Sequence, residues 1–523
     1  MSSSARSPKK EQVSRRDFLK TSASTAVLAS IPAGLRRVAP TDPDDEASLR
    51  ARLATDPLRP QFHLLPAKNW MNDPNGPIYW KGHYHMFFQY NPNAAVWGDM
   101  HWAHAVSDDM IHWRHLPIAL APTPGWDDAD GCFTGSAVDN HGAATILYTG
   151  VKTTSPDRAT LRDGVHNFRE VVCLATSGDP QLRSWNKWKQ PVLQPPADPR
   201  LTGFRDPFQW REGTTWYVGI GSGLAKKGGQ VLLYRSKDLR AWEYLHPLAS
   251  GKWTGHESIN PVDSGEMWEC PDFFPLGKKH VLLYSTAGEV IWEAGELDPK
   301  ELVFHPEKQG ILDHGAYYAQ KTQLDVRGNR ILWGWIPEKR SDEELRAAGW
   351  AGCMALPRLL SLSADGDLQM QAIPEVQSLR GEFFHVQGFS TEERISGARN
   401  FEIKDIAGEF FWRSSAPRFT LGLADQTGTW VSVSIDVQAT VTKLTLNATA
   451  VELPPTQNPD HKLRLFLDGS VAELLCNDRH AVTSRVYRKP DGPLRISPES
   501  SFSQIQEMKA WQLRAISNNR LTT

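Results

Sequence analysis

Three carboxylates stand where the chain turns into an apolar run. Asp73 lies in "NDPNG" (72–76), Asp206 in "FRDPF" (204–208) and Glu269 in "WECPDFF" (268–274). Asp73 and Asp206 precede a proline, and each acid leads towards strand-forming residues such as "HYHMFFQY", "TWYVGIG" and "HVLLYST". Placed between Trp268 and Cys270, Glu269 is expected to be desolvated, which favours the protonated form and suits a general acid. Arg205 is expected to hold its neighbour Asp206 ionised. One protonated and one ionised carboxyl is the pairing that cleaves glycosidic bonds. A gap of about 5 to 5.5 Å lets the second carboxylate attack as a nucleophile, with retention; about 6.5 to 9.5 Å leaves room for water, with inversion. Asp272, close to Glu269 in the chain, is a rival for the acid. Each acid also has an ordinary reading, because Asp-Pro and Asn-Gly are common turn chemistry.

Their shared phase within a repeat sets these acids apart. "SDDMIHW" (107–113) and "SKDLRAW" (236–242) fit one pattern, serine, any residue, aspartate, then an apolar residue and a tryptophan. "SGDPQLRSW" (177–185) is a longer copy, and "GELDPKELVF" (295–304) a worn one ending in Phe304. These segments recur roughly every sixty residues. A second series, out of phase with the first, runs through "NDPNG", "DGCFTGSAV" (130–138), "FRDPF", "WECPDFF" and "YYAQKT" (317–322). Gly, Pro and Asp clusters between them read as turns. Five such units, each of several short strands, predict a five-bladed β-propeller over residues 55–372, whose innermost strands start around one cavity. Acids at strand starts in separate blades then converge on one pocket.

Residues 373–384 read as a linker. From 385 to 515, "WVSVSIDV" and "KLRLFLDGSVAELL" alternate apolar and polar residues, and Asp468-Gly469 is a hairpin signal. A β-sandwich is expected there. The fold class is therefore all-β.

Among 523 residues the formal charge is −2, which argues against a nucleic-acid or anionic-membrane partner. Residues 1–45 read as an export signal and a disordered acidic start. "SRRDFLK" (14–20) carries paired arginines before the weakly apolar "TSASTAVLASIPAGL", as in twin-arginine signals. Passage through the twin-arginine translocase, cleavage within 33–45 and a periplasmic or extracellular protein are expected, with no membrane association after export. The five cysteines, Cys132, Cys173, Cys270, Cys353 and Cys476, lack metal-type spacing. His101 and His104 in "MHWAHAVS" could suggest a metal, but packed, hydrogen-bonded histidines fit a strand better.

"NWMNDPNG", "FFQYNP", "WGDMHWAHAVSDDMIHW", "FTGSAV", "FRDPF" and "MWECPDFF" occur in order across roughly residues 60–360, and this series resembles glycoside hydrolase family 32, the invertases, inulinases, levanases and related fructosyltransferases. That resemblance implies a five-bladed propeller followed by a sandwich, and retaining cleavage of β-fructofuranosyl bonds in sucrose or fructan. It implies Asp73 as nucleophile, Glu269 as acid/base and Asp206 as the carboxylate that stabilises the transition state. Asn72, Gln89, Trp97, Phe133, Thr134 and Arg205 match positions lining the fructose subsite. Thr134 stands where the family commonly has serine. "AYYAQKT" matches its counterpart only loosely and would supply outer subsites. No metal or cofactor is implied. The alternatives are fructosyl transfer on the same scaffold, an inverting arabinanase-like pentosidase, and a non-catalytic sugar-binding protein.

Overall fold

The computed structural model describes residues 43–388, 392–454, 460–497 and 505–523. The expected export signal lies outside them. Five sheets, antiparallel but for one short parallel pairing, make a propeller and two more make a sandwich. In blade I the strands run Asn69–Trp80, His83–Asn91, His101–Ser107 and Trp113–Leu120. Blade II begins with Gly131–Asn140 and Ala143–Thr153, blade III with Leu201–Glu212, blade IV with Glu269–Leu276 and blade V with Tyr318–Leu324. These five first strands are innermost, and each touches the next around a closed ring.

The repeat that reads as serine, aspartate and tryptophan is a turn joining the third and fourth strands of a blade. Asp109, Asp179 and Asp238 each donate a backbone N–H to the hydroxyl of Ser107, Ser177 or Ser236, at 3.2, 3.1 and 3.1 Å. Met110, Leu182 and Leu239 then enter the left-handed region at φ 65°, 55° and 62°. The indole N–H groups of Trp113, Trp185 and Trp242 donate to their carbonyls at 3.1, 2.9 and 3.1 Å. In blade IV, Asp298 still accepts from the Lys300 and Glu301 amides, and Leu302 takes φ 54°. Two bonds of the turn are lost: Glu296 stands where the serine hydroxyl would accept, and the Phe304 ring has no N–H to give.

A short segment closes the ring. Trp350–Ala351 pairs in parallel with Asn69 and Trp70 of blade I, while Cys353–Met354 pairs with Arg330–Ile336 of blade V. Between them Gly352 sits at φ 77°, where a Cβ would lie 2.1 Å from the Met71 carbonyl oxygen. A side chain there would push the first strand of blade I aside, close to Asp73.

The sandwich starts earlier than 385. A 3₁₀ turn spans Pro374–Leu379, and the first sandwich strand is Arg380–Gln387. Its six-stranded sheet meets the propeller through buried charges. Arg358 donates to Asp313 at 2.8 Å and Glu473 at 2.7 Å, and His63 bridges Asp468 and Glu473 at 2.7 and 2.8 Å. Burial alone would raise the Glu473 carboxyl, but the His63 hydrogen bond and the Arg358 charge outweigh it and hold it at about 2. Such a network fixes one docking of the two units, because any slip leaves buried charge unpaired.

The acidic stretch before the propeller is partly helical. Pro43–Thr55 forms a helix, with Leu53 fully buried and Arg52 donating to the Ala347 and Ala348 carbonyls at 2.6 and 3.1 Å. Among the described residues, no helix is long and apolar enough to cross a membrane.

Candidate active site

Each innermost strand carries a break in its pairing near its start. Register shifts fall between Met71 and Pro74, Phe133 and Gly135, Arg205 and Phe208, Glu269 and Asp272, and Tyr318 and Lys321. An extra residue at such a bulge turns a side chain out of the alternation of the strand. Asp206, Cys270 and Ala319 adopt φ 61°, 49° and 55° at three of the breaks, a region that costs energy for non-glycine residues. Pro74, Pro207 and Pro271 sit within or at the edge of a break, where a missing backbone donor does least harm. This explains the Asp-Pro signal in the sequence.

The breaks bring the three acids to one pocket of about 630 Å³. Its walls include Asn72, Asp73, Gln89, Trp97, Phe133, Thr134, Arg205, Asp206 and Glu269. Asp73, Asp206 and Glu269 are 8%, 3% and 3% exposed. The pocket thus gathers Asp73, Asp206 and Glu269 with the six residues expected to line the fructose subsite. Asp272 lies elsewhere, in a wider cavity of about 1650 Å³ lined by residues further along the same strands. It accepts the Thr322 amide at 2.6 Å. His104 packs on Phe87, with ring centroids 4.3 Å apart, and contacts His85 at 2.9 Å. Among the described residues, no cluster of His, Cys, Asp and Glu is arranged to hold a metal ion.

Both oxygens of Asp73 accept hydrogen bonds. Asn72 donates its side-chain amide to Oδ1 at 2.9 Å, and Thr134 donates its hydroxyl to Oδ2 at 2.7 Å. Asn72 is itself oriented by the Trp70 indole N–H at 2.7 Å. The Thr134 hydroxyl is therefore used to aim Asp73. Cys270 links two acids: its amide donates to Asp206 Oδ2 at 2.8 Å, and its thiol lies 3.5 Å from Asp73 Oδ2. Burial, aided by the neighbouring carboxylates, pushes that thiol well above its usual range, so it stays a neutral donor.

Arg205 meets Asp206 only as a long ion pair without a hydrogen bond, weaker than the pairing expected. The Arg205 guanidinium grips Glu269 Oε1 through Nε and Nη2 at 3.2 and 3.0 Å. Its Nη1 donates to Glu170 at 2.8 Å, while Asp206 Oδ2 is 4.0 Å from Nε. Complete burial raises the Asp206 carboxyl to about 6, and the Glu269 and Asp73 charges add to it; Arg205 opposes the rise without cancelling it. The surroundings of Glu269 also differ from expectation. The Trp268 ring stacks on Tyr284 with centroids 3.8 Å apart, and Glu269 accepts from Arg205 and from the Tyr318 hydroxyl at 2.8 Å.

Several contributors escaped sequence reasoning. Tyr318 belongs to "YYAQKT", which its phase in the second series and a loose family match mark without singling out this residue. Thr149 accepts the Asp206 amide at 2.8 Å and donates to the Thr134 carbonyl at 3.0 Å, tying two of the bulges together. Met100, Leu161, Asp163, His166 and Asn260 complete the pocket wall. His166 is paired to Asp163 at 2.9 Å and lies 5.0 Å from the Trp97 ring.

Comparison with known proteins bears on this arrangement. Residues 63–372 match the model for the N-terminal domain of glycosyl hydrolases family 32, and residues 412–512 match the model for its C-terminal domain. The chain belongs to glycosyl hydrolase family 32. It is a glycosidase, built as a five-bladed propeller followed by a β-sandwich. A sucrose-6-phosphate hydrolase of Escherichia coli is 36% identical over 488 residues, covering 87% of this chain and 94% of the relative. A Bombyx mori β-fructofuranosidase of this family superposes with a TM-score of 0.72 at 30% identity, over 90% of this chain and 97% of that one. Fructan 1-exohydrolase IIa of Cichorium intybus, solved with 1-kestose, gives 0.74 at 25% identity, over 88% and 98%.

Proposed function

We propose that this glycosidase hydrolyses terminal β-D-fructofuranosyl bonds of sucrose or fructan, with retention, through a covalent fructosyl-enzyme. One observation carries the reading: carboxylates from the innermost strands of blades I, III and IV line one pocket. Asp73, aimed by two donors on its two oxygens, attacks the anomeric carbon. Glu269 protonates the leaving oxygen and then activates the incoming water. Asp206 stabilises the positive charge that develops on the ring. Asn72, Gln89 and Arg205 offer polar contacts to the sugar hydroxyls, while Trp97 and Phe133 wall the ring and exclude water. The relatives named above act on sucrose 6-phosphate, β-fructofuranosides or fructan by their names, and this supports a fructosyl substrate.

The test is product analysis on sucrose, inulin and levan, with the anomeric form of the first fructose followed by NMR. Release of β-fructofuranose is the expected result. The α-anomer as first product would overturn retention, and no fructose from any of the three would overturn the substrate.

Export by the twin-arginine route to the periplasm or beyond belongs to the same proposal and rests on Arg15 and Arg16 in "SRRDFLK". Replacing both with lysine is expected to leave the full-length protein in the cytoplasm of a producing bacterium. Unchanged export by fractionation and immunoblot would remove this part of the reading.

A further inference from the structure

Glu170 lies outside the pocket wall and has no part in the chemistry above. It sits on the blade II strand Asn167–Ser177 and is fully buried. A buried carboxylate is costly unless its oxygens are satisfied, and here both are. Oε1 accepts Arg205 Nη1 at 2.8 Å, and Oε2 accepts the Phe204 backbone N–H at 2.8 Å. The second bond holds Glu170 to the strand that carries Arg205 and Asp206. One guanidinium thus stands among three carboxylates, with Glu170 on one edge, Glu269 on the other and Asp206 at 4.0 Å.

We propose that Glu170 is a positioning residue that divides the charge of Arg205, so that Glu269 can keep a proton while in contact with a guanidinium. This inference rests on the reading of Glu269 as the acid. An arginine paired bidentately to a lone carboxylate holds it ionised, which disables a general acid. Glu170 places a second negative charge on the same cation and fixes the far edge of its planar fork. Arg205 still aligns Glu269 for the leaving oxygen, with less power to strip its proton. The other groups facing this cluster are the Tyr318 hydroxyl on Glu269, the Asp73 and Asp206 carboxylates, the Cys270 thiol and the Lys321 ammonium. Lys321 donates to the Pro271 carbonyl at 3.1 Å. None of these contacts involves Glu170.

The experiment is kcat against pH for wild type, Glu170→Gln and Glu170→Asp, on whichever of sucrose, inulin and levan the wild type cleaves. Wild-type turnover is the internal reference for the fructosidase reading, and its absence would defeat that reading and this one with it. With turnover present, Glu170→Gln is expected to move the limb on which activity falls at high pH downwards by about one pH unit, because the full Arg205 charge then acts on Glu269. A role confined to fold stability would lower the amount of active enzyme and leave the limb in place. Superimposable normalised profiles would therefore overturn the proposal while leaving the fructosidase reading intact. Should Glu170→Gln fail to fold, Glu170→Asp decides: its shorter side chain releases one of its two partners, and the same limb is expected to shift downwards by less. An unmoved limb in that variant overturns the proposal equally.

Discussion

Asp73→Ala is expected to lower kcat on sucrose by about 10⁴-fold or more, and Glu269→Ala by about 10² to 10⁴-fold. The two losses should differ in kind. Without Asp73 no covalent fructosyl-enzyme forms, so changing the leaving group restores nothing. Without Glu269 the nucleophile remains, held by Asn72 and Thr134 at 2.9 and 2.7 Å. An aryl fructoside whose leaving group departs without protonation should then be attacked, and its first step should recover most of the lost rate. Pre-steady-state release of the aryl alcohol, compared between the variants, reads this directly. Recovery in Asp73→Ala instead of Glu269→Ala would reverse the two roles. Neither substitution should unfold the chain, because both side chains face a cavity rather than packed core and Arg205 keeps Glu170 as a partner when Glu269 is removed.

The architecture was legible because the repeat has a physical cause. A serine, an aspartate and a tryptophan specify one outer turn through two kinds of hydrogen bond and a left-handed residue, and the same solution serves successive blades. The acids were legible because proline and left-handed residues gather where strand pairing breaks, and the pocket lies at those breaks. Arg205 and Asp206 show where linear reading fails. The strand pairing breaks here and Asp206 takes a left-handed φ of 61°, so both side chains reach the pocket while the hydrogen bonds of the guanidinium go to other carboxylates. The partners of Arg205 come from blades II and IV instead. Glu170 carried no signal at all. It sits in "REVVCLA", with no turn, proline or glycine beside it, and its meaning depends on a contact between blades. The helix Pro43–Thr55 was hidden by its charge. Leu49 and Leu53 share one helical face and pack into the propeller core, a pattern too short to stand out among acidic and basic neighbours.

Asp206→Asn is expected to make the protein more stable and nearly inactive. The Asp206 carboxyl is raised by burial from 3.8 to about 6. A carboxyl raised in the folded state contributes its full stability below the unfolded value, and that contribution is lost as pH climbs through the folded value. At pH 7 the ionised side chain is therefore a cost, on the order of 3 kcal/mol. Asparagine removes the charge and keeps an oxygen for the Cys270 amide, which now donates to Asp206 Oδ2 at 2.8 Å. The melting temperature should rise at pH 7 to 8, and the advantage over wild type should fade towards pH 4, where both side chains are neutral. A rise independent of pH, or no rise, would contradict the assignment of the cost to charge. Activity should move the other way, with kcat down by about 10² to 10³-fold at every pH, because an amide cannot offer a negative charge to the oxocarbenium-like transition state. The wild-type enzyme should also lose rate as pH falls through about 6, while the residual rate of the variant should lack that step. The left-handed backbone at Asp206, at φ 61°, and its buried charge act in the same direction. Both destabilise the resting fold at the position where positive charge develops on the sugar, and binding of that charge relieves the electrostatic part of the strain.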